Sequence, residues 1–159
     1  MHNEFDFTEM KGMKMNSRIN IASVEPKALK AMLEVEGYLE GAELPTSLKK
    51  LIKVRASMIN QCAYCIEMHV AEADNVGVST QKLFALAAWR ESPLFNPQER
   101  AVLALTDEMT QIAQHGVSEQ VYDAALAELG EPLLAQAMMQ VIMINAWNRF
   151  AVATQMTHG

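Results

Sequence analysis

The sequence predicts an all-α protein, and three observations support that fold class. Apolar residues recur at the three- and four-residue intervals of an amphipathic helix along most of the chain. No run of alternating apolar and polar residues is long enough to predict a strand. Seven glycines and five prolines among 159 residues leave room for long helices. We therefore expect a bundle of about six or seven helices.

Local start and stop signals divide the chain into these helices. Pro26 suits a first helical turn, and either Thr46 or Ser47 can cap the second helix. Ser79 and Ser118 can open two later helices in the same way. The expected helices cover residues 26–41, 46–59, 62–77, 79–86, 97–116, 118–130 and 132–153.

Two of the expected helices have distinctive sequences. The run Asn-Pro-Gln-Glu at 96–99 combines a cap, a proline in the first turn and a glutamate three residues after the cap. The helix from Pro132 to about Ala153 is the most apolar, because no charged residue lies between Glu131 and Arg149. Such a helix must bury against protein, and either a subunit interface or a central core position fits it.

Composition and charge exclude several classes of function. The net charge is −6 and no cluster of Lys and Arg exceeds a pair, so we do not expect a nucleic-acid-binding protein. The longest apolar run is well short of the ~18 residues of a membrane span, and the N-terminus lacks the apolar core of a signal peptide. We expect a cytoplasmic protein with a tail or arm over residues 1–22 and a single domain over residues 23–159.

The segment 55–69, R-A-S-M-I-N-Q-C-A-Y-C-I-E-M-H, contains both cysteines of the chain. Cys62 and Cys65 have Cys-x-x-Cys spacing, and His69 follows four residues after the second cysteine. Positions three and four apart share one face of a helix, so these side chains would form a single stripe. An imidazole one turn beyond a thiol is well placed to take its proton, and the thiolate is the reactive form.

Metal binding and simple packing are the alternative interpretations of this stripe. A structural zinc site needs four ligands, and three ligands on one continuous helix would surround the ion poorly, so we expect no metal. Covalent haem is excluded in its usual form because Ile66, and not a histidine, follows the second cysteine. Cysteines and a histidine can also be inert core residues. Their combination at these offsets favours a redox pair.

The same segment resembles the core of the AhpD-like alkylhydroperoxidase and carboxymuconolactone decarboxylase family. The runs A-A-W-R-E-S-P-L-F-N-P-Q-E-R-A-V-L-A-L-T at 87–106 and I-N-A-W-N-R at 144–149 resemble it as well, and the similarity covers roughly residues 16–159. The resemblance implies an all-helical fold that assembles into homotrimers or homohexamers. It also implies a peroxidase or disulfide-reductase-like activity on hydroperoxides, recycled by a dithiol partner such as a lipoylated protein or a peroxiredoxin system. No cofactor is expected.

The resemblance also implies roles for individual residues. The family motif is Glu, then eleven residues, then Cys-x-x-Cys-x-x-x-His. Cys65 matches the thiol that attacks peroxide, Cys62 matches the cysteine that resolves the product, and His69 matches the family histidine. The glutamate position falls on Lys50, which in its charged form cannot serve as a base. A positioned base contributes on the order of 10²–10⁴-fold to rate, so this departure predicts a weakened peroxidase.

Other side chains near the stripe are candidates for auxiliary roles. We hypothesise that Glu72 orients His69, whereas Glu67 points to the opposite side of the helix and should be solvated. Tyr64 could close the pocket or donate a hydrogen bond, although packing is the simpler role. Lys50 could favour a thiolate through its charge, or it could be an exposed lysine beside two others.

The sequence therefore predicts a thiol-dependent peroxidase with a Cys62–Cys65 redox pair. Two alternatives stay open. One is a decarboxylase of lactone acids, although that chemistry does not use a dithiol. The other is a redox sensor with weak or no catalysis, which the lysine at position 50 makes more plausible.

Overall fold

The structure is a computed structural model that describes residues 18–157. Within this part of the chain the regular structure is entirely helical, which confirms the predicted fold class. The helices are α1 (Ile21–Val24), α2 (Pro26–Gly41), α3 (Thr46–Ile59), α4 (Ala63–Asn75), α5 (Thr80–Ala85, followed by a 3₁₀ turn at Leu86–Ala88), α6 (Pro97–Thr110), α7 (Ile112–His115) and α8 (Glu119–Thr154).

The predicted tail over residues 1–22 lies mostly outside the described residues. Its last part begins α1, where the Asn20 side chain accepts a hydrogen bond from the backbone N–H of Ala22 at 2.9 Å. The Arg18 guanidinium donates to the backbone carbonyl of Ala153 at 2.6 Å. The residue segment just before α1 therefore contacts the C-terminal end of α8.

Helices α3, α6 and α8 pack against one another and form the centre of the bundle. Their facing side chains are fully buried aliphatic residues such as Leu51, Ile52, Leu103 and Ile144. Burial of each such side chain contributes on the order of 1.5–3 kcal/mol, so this three-helix contact supplies much of the driving force for folding. Among residues 18–157, no helix is both long and apolar enough to cross a membrane.

Helix α8 consists of two helical parts that meet at a kink at Gly130. This glycine has φ 72°, a left-handed conformation that favours glycine, and Pro132 begins the straight part of the helix two residues later. The sequence predicted two helices meeting at this glycine. The structure has the predicted break, with the second part of α8 lying in the core.

The predicted caps agree with the structure at three helices and disagree at one. The Asn96 side chain accepts from the Glu99 N–H at 2.8 Å and the Glu99 carboxylate accepts from the Asn96 N–H at 2.9 Å, which is a complete capping box. Ser79 and Ser118 cap their helices as predicted. The prediction of a Thr46 or Ser47 cap on α3 is wrong, because Pro45 occupies the cap position and no side chain caps that helix.

A tight turn joins α3 to α4 and positions Cys62 at the start of α4. Asn60 ends α3, Gln61 adopts a left-handed φ of 54°, and the N–H of Cys62 donates to the Ser57 carbonyl at 3.0 Å. A non-glycine residue in this conformation is uncommon and needs support from its surroundings.

Two side-chain amides of α8 supply that support. The Asn60 side-chain amide donates to the side-chain oxygens of Asn145 at 3.0 Å and Asn148 at 2.9 Å. Asn148, which is fully buried, in turn donates to the Ser57 hydroxyl at 3.0 Å. The turn before Cys62 is thus tied to the core helix by a closed set of hydrogen bonds.

Replacing Asn148 by alanine should destabilise the fold. Asn60 and Ser57 would each lose a buried partner, so the free energy of unfolding should fall by about 1–3 kcal/mol. Urea denaturation with an unchanged m-value would measure this. The control is Lys30→Ala at an exposed surface pair, which should change stability by less than about 0.5 kcal/mol. An equal effect of the two substitutions would show that the amide network does not stabilise the turn.

Candidate active site

The two cysteines lie at the N-terminal end of α4 and form a disulfide in this structure. Cys62 is the N-cap residue, one position before the first turn in which we expected it, and its Sγ accepts from the Cys65 N–H at 3.3 Å. The Cα atoms are 5.3 Å apart, and each residue is only 2 % exposed. The cap position points the Cys62 sulfur back at Cys65. The disulfide between the two residues can therefore form and be reduced without movement of the helix.

A small cavity of about 50 Å³ opens beside Cys65. Most of its wall is aromatic or aliphatic. Three charged or basic side chains, Glu36, Lys53 and His69, also face it. The lining residues are Glu36, Lys53, Tyr64, Cys65, Met68, His69, Trp147, Phe150, Ala151 and Met156. Cys65, His69 and Tyr64, which the sequence singled out, therefore border a common space.

His69 is buried, at 4 % exposure, and contacts one carboxylate. Its Nδ1 lies 2.9 Å from Oε2 of Glu72, three residues later on α4. An ionised carboxylate only accepts hydrogen bonds, so Nδ1 carries the proton and Nε2 is left as the basic nitrogen of the ring. Glu72 therefore has the contact that our hypothesis required for orienting His69. Its role in catalysis stays a prediction.

The protonation states of this pair follow from burial and from each other. Burial lowers the pKa of His69, and the hydrogen bond and charge of Glu72 only partly offset that effect. Burial alone would raise the pKa of Glu72, but His69 and the charge of Lys50 outweigh burial and lower that pKa to about 2. At pH 7 the oxidised protein therefore has a neutral His69 beside an ionised Glu72.

Lys50 is buried, at 7 % exposure, so the interpretation of it as an exposed lysine is wrong. Its ammonium lies 3.1 Å from the same Glu72 oxygen that contacts His69, and 3.9 Å from Glu40. Lys50 is at the glutamate position of the family motif, and the carboxylate beside the imidazole comes from Glu72 instead. The side chains therefore form the series Lys50–Glu72–His69, in which the hydrogen bond from His69 and the charge of Lys50 together lower the pKa of the carboxyl group.

Two further charged residues border the cavity, and the sequence pattern does not predict either of them as part of the site. Glu36 comes from α2 and Lys53 from α3, and they form a buried ion pair. Trp147 of α8 donates its indole N–H to the second oxygen of Glu36 at 3.1 Å. One sequence feature does indicate that Glu36 is buried: it shares a helical face with the apolar Leu29, Met32 and Leu33.

Tyr64 and Glu67 also have definite places. Tyr64 is half-buried and packs against the two cysteines, so it closes one side of the cavity. Glu67 is exposed, as expected. In the part of the chain that the structure describes, no three His, Cys, Asp or Glu side chains are grouped so as to hold a metal ion.

Replacing Glu72 by glutamine should slow alkylation of the reduced Cys65 thiol. Glu72 raises the pKa of His69 and so favours a thiolate–imidazolium pair; without its charge, thiolate forms only at higher pH. The iodoacetamide rate at pH 7 should fall by about tenfold, and the pH of half-maximal rate should rise by about one unit. Glu67→Gln, on the same helix, is the matched control and should leave the profile unchanged. Identical profiles for the Glu72 variant and wild type would contradict this role.

Comparison with known proteins places the chain in a family. The model of the carboxymuconolactone decarboxylase family matches residues 26–108. The uncharacterized protein YdfG of Bacillus subtilis is 30 % identical over 139 residues, which are 87 % of this chain and 95 % of YdfG. The uncharacterized protein YnjA of Escherichia coli is 31 % identical over 110 residues, 66 % of this chain and 56 % of YnjA.

Solved structures show the same architecture. ATU0492 of Agrobacterium tumefaciens, a protein of unknown function suggested to be the antioxidant defence protein AhpD, is 37 % identical with a TM-score of 0.87 over 91 % of this chain and 99 % of that one. The debrominase Bmp8 shares the fold at 20 % identity, with a TM-score of 0.77 over 86 % of this chain and 74 % of Bmp8. With its Cys-x-x-Cys pair at the start of α4, the chain belongs to the carboxymuconolactone decarboxylase family and has the AhpD-like helical fold.

Proposed function

We propose that this protein is a dithiol peroxidase that reduces small organic hydroperoxides. The observation that supports the proposal is the cavity that Cys65 and His69 both line, together with the disulfide between Cys65 and Cys62. A peroxidatic thiol needs a base, a space for the peroxide and a second thiol to resolve its product. The three requirements coincide at the N-terminal end of α4.

The first step is attack of the Cys65 thiolate on the terminal oxygen of the hydroperoxide. His69 takes the thiol proton at Nε2, the S–O bond forms as the O–O bond breaks, and the alkoxide leaves with the electron pair. The imidazolium then returns the proton to the alkoxide. The products are an alcohol and the sulfenic acid of Cys65.

The second step uses Cys62. Its thiol attacks the sulfenic sulfur, water leaves, and the disulfide seen in the structure forms. A dithiol reductant then reduces the disulfide by two thiol exchanges and is itself oxidised. We propose that a lipoylated protein or a peroxiredoxin system supplies these electrons in the cytoplasm, where thiols are kept reduced.

We propose that the protein is a fully active peroxidase although a lysine occupies position 50. That lysine lies 3.1 Å from the Glu72 carboxylate, and Glu72 contacts the imidazole at 2.9 Å. The carboxylate that the family motif places at position 50 is thus provided from α4 itself. This arrangement supports a working proton relay in preference to a sensor without turnover.

We also propose that the protein works as a homotrimer or homohexamer. Met139, Ile142 and Val152 follow one another along α8 and are between 38 % and 50 % exposed in the single chain. Exposed apolar side chains on a helix of the core support its use as a subunit contact.

A second candidate reaction is favoured by the aromatic wall of the cavity. Trp147, Phe150 and Tyr64 would accept a small aromatic ring beside Cys65. The same dithiol could then reduce a carbon–halogen bond, with two thiols giving the disulfide, the dehalogenated ring and a hydrogen halide. Bmp8, by its name, is a debrominase, and a variant of it was crystallised in complex with 2,3,4-tribromopyrrole.

Replacing each cysteine by serine tests the proposed function. Wild-type protein should consume cumene hydroperoxide and dihydrolipoamide in equal amounts. Cys65→Ser should lower this turnover to the background rate. Cys62→Ser should instead accumulate a sulfenic acid on Cys65, which dimedone traps and mass spectrometry detects.

Two outcomes would overturn the peroxidase assignment. Turnover of Cys65→Ser equal to wild type would remove the thiol from the reaction. Release of bromide from 2,3,4-tribromopyrrole by a wild-type protein that leaves cumene hydroperoxide intact would favour the dehalogenase instead.

A further inference from the structure

The ammonium group of Lys53 is the least satisfied buried charge beside Cys65. Lys53 is 4 % exposed and borders the cavity together with Cys65 and His69. An ammonium carries three N–H donors. Among residues 18–157, the Glu36 carboxylate is its one hydrogen-bond partner. Donors are therefore left over inside a small, mostly apolar space, where an unmade hydrogen bond is costly.

Glu36 and Trp147 fix the position of this ammonium. One Glu36 oxygen pairs with Lys53, and the other accepts the Trp147 indole N–H at 3.1 Å. The carboxylate is thereby held between α3 and α8 and cannot swing away with the lysine. Burying an ion pair costs more free energy than it returns unless further groups interact with it. Trp147 supplies such an interaction to Glu36, but nothing in residues 18–157 supplies it to the remaining N–H donors of Lys53, which a purely structural role leaves unexplained.

We propose that Lys53 is a catalytic residue that donates a hydrogen bond to the leaving oxygen of the hydroperoxide. This proposal rests on the peroxidase function proposed above. As the Cys65 thiolate bonds to the terminal oxygen, the O–O bond breaks and its electron pair moves to the inner oxygen. The ammonium stabilises the negative charge that develops there, and the imidazolium of His69 then supplies the proton that completes the alcohol. Glu36 and Trp147 are positioning residues.

The charge on the leaving oxygen gives the proposal a specific signature. An alkyl hydroperoxide expels an alkoxide, which is strongly basic and needs a donor. Peracetic acid expels acetate, a far weaker base that leaves readily without one. Loss of one preorganised donor costs about 10²–10³-fold in rate when the reaction depends on it. Removing Lys53 should therefore affect the two oxidants unequally.

The test measures the rate of disulfide formation in the reduced protein with cumene hydroperoxide and with peracetic acid. In Lys53→Met, the cumene hydroperoxide rate should fall about 10²-fold or more, whereas the peracetic acid rate should fall less than about tenfold. Lys53→Arg keeps a cationic donor and should give a ratio of the two rates close to that of wild type. The ratio does not depend on the folded fraction, so partial unfolding of a variant cannot mimic the effect.

Lys49→Met is the matched control, because Lys49 is an equally buried lysine on the same helix. Its ammonium donates to the backbone carbonyls of Glu40 at 2.9 Å and Ala42 at 2.8 Å and does not border the cavity. Its ratio of rates should equal that of wild type. Equal slowing of both oxidants in Lys53→Met, or no slowing, would overturn the role of Lys53 while leaving the peroxidase intact. A wild-type protein that reacts with neither oxidant would overturn both proposals.

Discussion

Glu72 accepts a hydrogen bond from Nδ1 of His69 at 2.9 Å, and the ammonium of Lys50 lies 3.1 Å from the same carboxylate oxygen. This contact determines which nitrogen of the imidazole is basic and how easily it becomes charged. Without Glu72, a buried imidazole would have no anion to compensate its positive charge, and proton transfer from a thiol would be unfavourable. In the proposed reaction His69 acts as the base for the Cys62–Cys65 pair, and the carboxylate that α4 places one turn beyond the ring supports that role.

The surroundings of this contact show how a small apolar bundle accommodates several charges. Lys49, Lys50 and Lys53 are all buried on α3, although lysine is rarely buried without a partner. The three lysines have different partners. Lys49 donates to two backbone carbonyls at the end of α2, Lys50 pairs with Glu72, and Lys53 pairs with Glu36. These partners come from the helices on either side, so the lysines tie α2 and α4 to the core through α3. The ion pairs that connect the helices therefore also determine which charged groups lie at or near the cavity.

Much of the helical framework follows from local sequence signals. The Asn96 capping box, the Ser79 and Ser118 caps and the left-handed Gly130 depend on residues within a few positions of each other, so the sequence predicts them well. The Cys62–Cys65–His69 stripe is also local, since one helix brings its members together. The α3 cap was mispredicted because Pro45, rather than either hydroxyl residue, takes the cap position.

The parts of the site that were missed depend on contacts between helices. Glu36 is far along the chain from Cys65 and reaches the cavity because α2 packs against α8 and because Glu36 pairs with Lys53 of α3. Whether Lys53 faces water or a carboxylate depends on that packing, which periodicity along one helix does not determine. The burial of Lys50 was missed for the same reason, because its partner Glu72 lies on the next helix.

The state of His69 in the oxidised protein is the most direct test of this account. Nitrogen-15 NMR of histidine-labelled protein can report which ring nitrogen carries the proton at pH 7. We expect a neutral His69 ring with the proton on Nδ1, and a titration midpoint below the ordinary pKa of 6.5 because the ring is buried. A proton on Nε2, or a ring that is already protonated at pH 7, would contradict it.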